Sequence, residues 1–141
     1  MLGRKDFTLD EFDHARTAVA EQLTAYRELA AAVDKAGDAS VAAALEALEP
    51  LLFGNLVLAL DRFFVHRLRA VSGKDTNPLT EVEVLAESLM ARSGVRPGKA
   101  IKYKADAAVL GLEPGAEIRL TADEFARLSE AFLGELADRF L

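Results

Sequence analysis

One row of polar and basic side chains has the spacing and the chemistry to bind an anion. Asn55, Ala59, Arg62, His66 and Arg69 recur at intervals of four, three, four and three residues, which places them on one face of an α-helix. Guanidinium and imidazolium groups are strong donors to phosphate-type anions. The alternative is that this row is only the solvent-facing side of the helix.

Two further residues could extend this site beyond the end of the helix. Lys74 adds a cation, and Asn77 precedes Pro78 as the cap of a new helix, whose first backbone amides can bind an anion. The sequence therefore predicts a set of candidate ligand-binding residues: Arg62, His66, Arg69, Lys74 and Asn77.

Positive charge is concentrated in two short segments of an acidic chain. Residues 62–74 and 92–104 hold nine of the 17 Lys and Arg residues and no acid, while the net charge of the whole chain is −6. Three interpretations stay open: these cations neutralise acidic helices within the chain, pair with acids of a second subunit, or bind an anionic ligand such as a phosphate compound or nucleic acid.

The acidic residues do not form a catalytic constellation. Asp61 has apolar residues three and four positions away on both sides, so it is predicted to be a buried acid in an ion pair rather than a catalytic group. Glu11 and His14 have the spacing of a di-iron helix motif, but the second motif that such a centre needs is missing. With no Cys and two His, we expect no metal and no cofactor, and the sequence leans away from an enzyme.

The hydrophobic periodicity predicts a mainly α fold, with residues 1–141 forming a single domain. The capping boxes at Thr8 and Thr121 and the Asn-Pro pair at residues 77–78 mark helix starts. In chain order, the predicted helices cover residues 8–37, 42–48, 51–71, 77–94 and 121–140.

Two parts of this helical pattern are less regular. Pro50 either starts the third helix or kinks a continuous one. Residues 101–103 and 117–120 alternate in polarity like short strands, as a half-buried strand does. The expected architecture is a bundle of about five helices with a small two-stranded β insert near residues 101–120.

The helix after Pro50 carries more apolar surface than one chain can cover. Residues 51–71 are apolar around most of the helix circumference, which is typical of a central or interface helix. We therefore expect a homodimer through the helix at 50–71. No apolar run follows the N-terminal basic residues, and the uncharged run 50–60 is shorter than the roughly 20 residues that span a bilayer. The expectation is a cytoplasmic protein with no membrane contact.

Two segments resemble known families. Phe63–Arg69, with the following Gly-Lys-Asp and Asn-Pro-Leu runs and the segment Ile118–Ser129, resembles a family of small uncharacterised bacterial helical proteins of actinobacterial type. This resemblance implies no known activity or cofactor. Leu110–Ile118 is similar to the turn of the swapped-hairpin fold in AbrB-type transcription factors. That likeness implies DNA binding, which the pI near 5.0 disfavours.

These observations predict a self-associating interaction or regulatory protein. The alternative is a domain, or an enzyme, that binds a small phosphate-type anion through the basic row. A regulator that binds nucleic acid is the lesser alternative.

Overall fold

The protein is built from four α-helices in the part of the chain that the structure describes. A computed structural model describes residues 8–68 and 72–141, and for residues 64–68 it describes the backbone. The helices are α1 (Leu9–Ala36), α2 (Ala39–Leu68), α3 (Pro78–Met90) and α4 (Ala122–Phe140), with a short 3-10 turn at Ala105–Ala107. The predicted mainly α class is confirmed.

The predicted count of five helices is wrong because residues 42–48 and 51–68, which fall in two predicted helices, belong to one helix. Asp38 begins α2, since its Oδ1 accepts the backbone N–H groups of Ser40 and Val41 at 2.9 and 3.2 Å. Pro50 lies inside the helix. Strong helix formers on both sides and packing of the following turns against the core outweigh the hydrogen bond that proline removes.

The predicted β insert is also wrong, because residues 101–120 contain no strand. Apart from short local turns, the backbone-to-backbone hydrogen bonds of this part of the chain go to loops elsewhere. The N–H of Lys102 donates to the carbonyl of Lys74 at 2.6 Å, and the N–H of Gly115 donates to the carbonyl of Val95 at 2.7 Å. The first alternating segment and the turn just before the second one are thus held by different loops, and no ladder joins the two segments.

Helix α2 lies at the centre of the packing. It contacts α1, α3 and α4, and Phe53, Val57 and Leu60 are fully buried on its inner side. The ring of Phe53 packs edge-on against Tyr26 at a centroid distance of 4.9 Å and lies 5.5 Å from the ring of Phe125. These contacts join α1, α2 and α4 in one apolar core.

The paired ends of α1 and α2 extend beyond this core as an antiparallel hairpin, which we call the arm (residues 29–48). Every residue from 34 to 44 is exposed. Two hydrogen bonds to Glu49 hold the base of the arm. Its carboxylate accepts one from the Tyr26 hydroxyl and one, at 2.9 Å, from the backbone N–H of Ala122. Burial and the neighbouring Glu49 charge raise the pKa of Tyr26.

Candidate interaction surface

The outer face of α2 carries a continuous row of mostly apolar side chains, which we call the α2 stripe. Leu51 is 70% exposed, Val41 is 45% exposed and Leu48 is 44% exposed, although all three belong to the central helix of the fold. The spacing alternates between three and four residues, which is the a/d pattern of a coiled-coil seam. The stripe consists of Val41, Ala44, Leu48, Leu51, Asn55, Leu58 and Arg62.

A shallow groove runs beside the C-terminal half of the stripe, between α2 and α3. Leu58, Ala59 and Arg62 line it from α2, and Ala86 and Met90 line it from α3. Met90 is 71% exposed. An apolar side chain exposed beside an apolar row enlarges the patch, and patches of this kind mark interaction sites.

The predicted ligand-binding residues do not all lie together. Arg62 is exposed and shares the groove with Glu87 and Met90, near the C-terminal end of α3. Lys74 and Asn77 precede the N-terminal end of that helix, whose 13 residues span about 20 Å. Arg69 and the side chain of His66 lie outside the described residues.

The Asn77 side chain already has a complete set of hydrogen bonds. Its Oδ1 accepts the N–H groups of Leu79 and Thr80 at 2.9 and 3.1 Å, and its Nδ2 donates to the carbonyls of Ser72 and Asp75. It caps α3 and closes the preceding loop. A ligand could bind this amide only by displacing one of these contacts.

The two basic segments meet at one end of the molecule. Besides the bond between the backbones of Lys74 and Lys102, the N–H of Lys104 donates to Thr76 Oγ1 at 2.7 Å. We call Lys74, Lys102 and Lys104 the basic end, since these three cations outnumber the exposed Asp75 and Asp106 beside them. Arg96 lies elsewhere, because its N–H donates to Ser88 near the C-terminus of α3.

The exposed cations of these segments have no acidic partner within the described part of the chain. None of these described cations lies within 4.0 Å of a described carboxylate. These exposed cations are Arg62, Lys74, Arg92, Arg96, Lys99, Lys102 and Lys104.

The fully buried acid of the described chain is Glu81, which the sequence analysis did not single out. Asp61, the predicted buried acid, is half-buried at the α2–α3 groove. Glu81 is 1% exposed, and its two carboxylate oxygens accept the N–H groups of Val109 and Leu110 at 2.7 and 3.0 Å. One signal was available: Val84 and Leu85, three and four positions after Glu81, are apolar, which places Glu81 on the inward face of α3.

The environment of Glu81 opposes its ionisation. Burial raises the pKa of Glu81, and the two backbone hydrogen bonds offset only part of this effect. The nearby Tyr103 hydroxyl donates to the carbonyl of Leu112, and burial together with the charge of Glu81 raises the pKa of Tyr103. Through its hydrogen bonds to Val109 and Leu110, Glu81 holds the loop around residues 109–112 against α3.

Glu11 and His14 have separate structural contacts. Glu11 Oε1 accepts the backbone N–H of Thr8 in the capping box of α1. The His14 ring packs edge-on against Phe63 at a centroid distance of 6.5 Å. Among the described residues, no group of three or more His, Asp and Glu side chains could hold a metal ion.

Within the described residues, one helix has the length and composition that could span a membrane. It is the segment Ala39–Phe63 of α2, with a mean hydropathy of 1.6 over a window that is 22% buried. A mostly buried core helix passes the same test, but less than a quarter of this window is buried, and only its inner side packs against the other helices. The cytoplasmic location stays a prediction.

Comparison with known proteins gives no relative for this chain. No family model matches it, and no curated protein or solved structure is significantly similar to it. The two family resemblances seen in the sequence therefore stay predictions. What the protein does has to be argued from the α2 stripe, the groove and the distribution of charge.

Proposed function

We propose that the protein is a self-associating interaction protein that forms a homodimer through the α2 stripe. The observation that carries this proposal is the exposure of Val41, Leu48 and Leu51 on the central helix. No described part of the chain covers these side chains. A second copy presents the same stripe, and a two-fold axis lets each stripe cover the other.

The stripe is large enough for a specific interface. It spans about 32 Å of helix from Val41 to Arg62. A standard interface buries roughly 800 Å² on each partner, about a tenth of the 8406 Å² surface of one chain. Burying an exposed leucine side chain fully contributes about 1.5–3 kcal/mol, so Leu48, Leu51 and Val41 supply the main driving force and the half-buried Leu58 adds less.

Leu51→Glu is expected to abolish the dimer. The change places a carboxylate in the centre of the proposed interface, beside Arg119, whose guanidinium already forms an ion pair with Glu117 at 3.5 Å. We expect the dissociation constant to rise by about 100-fold or more, since each 1.4 kcal/mol is tenfold in affinity and an unpaired buried charge costs several kcal/mol. Sedimentation velocity over a range of protein concentrations measures the effect.

The matched control is Leu9→Glu. Leu9 is also an exposed leucine, 62% accessible, but it is the first residue of α1, about 25 Å along that helix from Tyr26, which packs on Phe53. This variant should dimerise like the wild type. A wild-type chain that keeps the monomer mass at every concentration would contradict the proposal.

A second candidate function is binding of a phosphate-type anion or a polyanion by the basic segments. The observation that favours it is the set of exposed cations without a described acidic partner, which includes Lys102 and Lys104. We expect retention on immobilised heparin that weakens with salt, and a clear loss of retention in Lys102→Ala with Lys104→Ala. Flow-through of the wild type at low salt would rule out this candidate.

A further inference from the structure

Opposite charges occupy the two ends of α2. From residue 28 to residue 61 the chain has six acids and a single base, Lys35. The tip of the arm exposes Asp34 and Asp38, with the exposed Lys35 between them. The hydrogen bonds from Ser40 and Val41 lower the pKa of Asp38, which keeps its carboxylate ionised.

The basic end lies beyond the opposite end of the same helix. α2 has 30 residues and is about 45 Å long. Lys74 follows its C-terminus within a few residues, and the backbone bond to Lys102 draws the second basic segment to the same place. One chain therefore presents an acidic tip and a basic end, separated by the length of α2.

We infer that the second copy binds antiparallel, so that the acidic arm tip of each copy lies against the basic end of the other. This inference rests on the proposed function. A two-fold axis that crosses α2 between Leu51 and Asn55 produces this antiparallel arrangement. Leu48 then faces the partner's Leu58, and the small Ala44 faces the long side chain of the partner's Arg62.

In a parallel pair, like charges would face each other. It sets Arg62 against the partner's Arg62 and each acidic tip against the other tip, and like charges at close range are unfavourable. Its one gain is a contact between the two Asn55 side chains, a pairing that specifies parallel coiled coils. Two repulsive sites at the ends outweigh one polar contact in the middle.

The antiparallel pair also accounts for the exposure of Met90. The groove beside Leu58 and Met90 lies in the C-terminal half of the stripe. In an antiparallel pair, the partner's arm passes over this half. The apolar Val41 side of the arm and the exposed Met90 thus cover each other, so the arm and the groove become parts of one interface.

Engineered cysteines test the orientation, because the natural chain has no cysteine to interfere. We expect Leu48→Cys mixed with Leu58→Cys to form a disulfide-linked heterodimer under mild oxidation. Neither variant alone should cross-link, since about 15 Å of helix then separates the two sulfurs and a disulfide needs Cα atoms within about 7 Å. Tags of different mass on the two variants identify the product on a non-reducing gel.

The outcomes separate the orientation from the dimer itself. Efficient self-cross-linking of Leu48→Cys, with a dimer still present by sedimentation, overturns the antiparallel arrangement and leaves the proposed function intact. A monomer without any cross-link overturns both. A monomer that floats with lipid vesicles, and loses this property in Leu51→Glu, overturns both in favour of a membrane-binding stripe.

Charge reversal tests the contact between the arm tip and the basic end. Lys102→Glu should weaken self-association about tenfold at low salt, and mixing it with Asp34→Lys should restore hetero-association. Arg127→Glu, which reverses an exposed cation of α4, is the control with the same change in net charge. Equal weakening by Lys102→Glu and Arg127→Glu, without rescue by Asp34→Lys, would contradict the proposed contact.

Discussion

Phe53→Ala is expected to lower the free energy of unfolding by about 3–5 kcal/mol. The Phe53 side chain is fully buried, and its ring contacts the rings of Tyr26 and Phe125. Alanine leaves a cavity between three helices that can close only in part. Urea unfolding followed by circular dichroism, at a concentration where the chain is monomeric, measures the difference.

Leu51→Ala is the matched control for this experiment. Leu51 lies two positions before Phe53 on the same helix, but its side chain points to solvent. Its truncation should cost less than about 1 kcal/mol in the monomer and should act on association instead. Equal destabilisation by both variants would mean that α2 does not present these two faces as described.

Glu81→Ala is expected to produce the second large loss of stability. Removing the carboxylate leaves the N–H groups of Val109 and Leu110 without their acceptors. A buried donor that loses its partner costs about 1–3 kcal/mol, and here two donors are affected. The loop that they belong to should also exchange its amide hydrogens faster, which hydrogen-exchange mass spectrometry detects at residues 109–112.

The pH dependence of stability gives an independent test of Glu81. Because its pKa in the folded protein is raised above the ordinary 4.5, the folded state holds this proton more tightly than the unfolded state. Its contribution to stability is then greatest below about pH 4.5 and is lost as the pH rises through the raised pKa. Glu81→Gln should remove this part of the pH dependence. If the wild type instead became more stable relative to Glu81→Gln as the pH rises, the two hydrogen bonds would outweigh burial in their effect on the pKa of Glu81.

The candidate surface could be predicted only in part from the spacing of its residues. Sequence analysis identified Asn55, Ala59 and Arg62 as one helical face and predicted a surplus of apolar surface after Pro50. It did not extend the stripe to Val41 and Leu48, because exposure depends on where α3 and α4 end. Whether the proposed ligand residues lie together could not be predicted either, since the distance between Arg62 and Asn77 depends on how α2 and α3 pack.

The helix starts were determined by the sequence alone. Thr8, Asn77 and Thr121 cap α1, α3 and α4 in the structure, and Gly37 ends α1 in a left-handed conformation. Each of these signals acts through hydrogen bonds within a few residues, so local sequence is sufficient to specify it.

Only the tertiary structure decided the long-range partners. Residues 101–103 and 117–120 alternate like strands, yet Lys102 binds the loop before α3 and the turn that precedes residue 117 binds the loop after α3. Alternation does not specify which backbone a segment will pair with. The continuity of α2 through Pro50 and the burial of Glu81 have the same origin. They depend on groups that are distant in sequence, whose packing energy exceeds local preferences of about 1–3 kcal/mol.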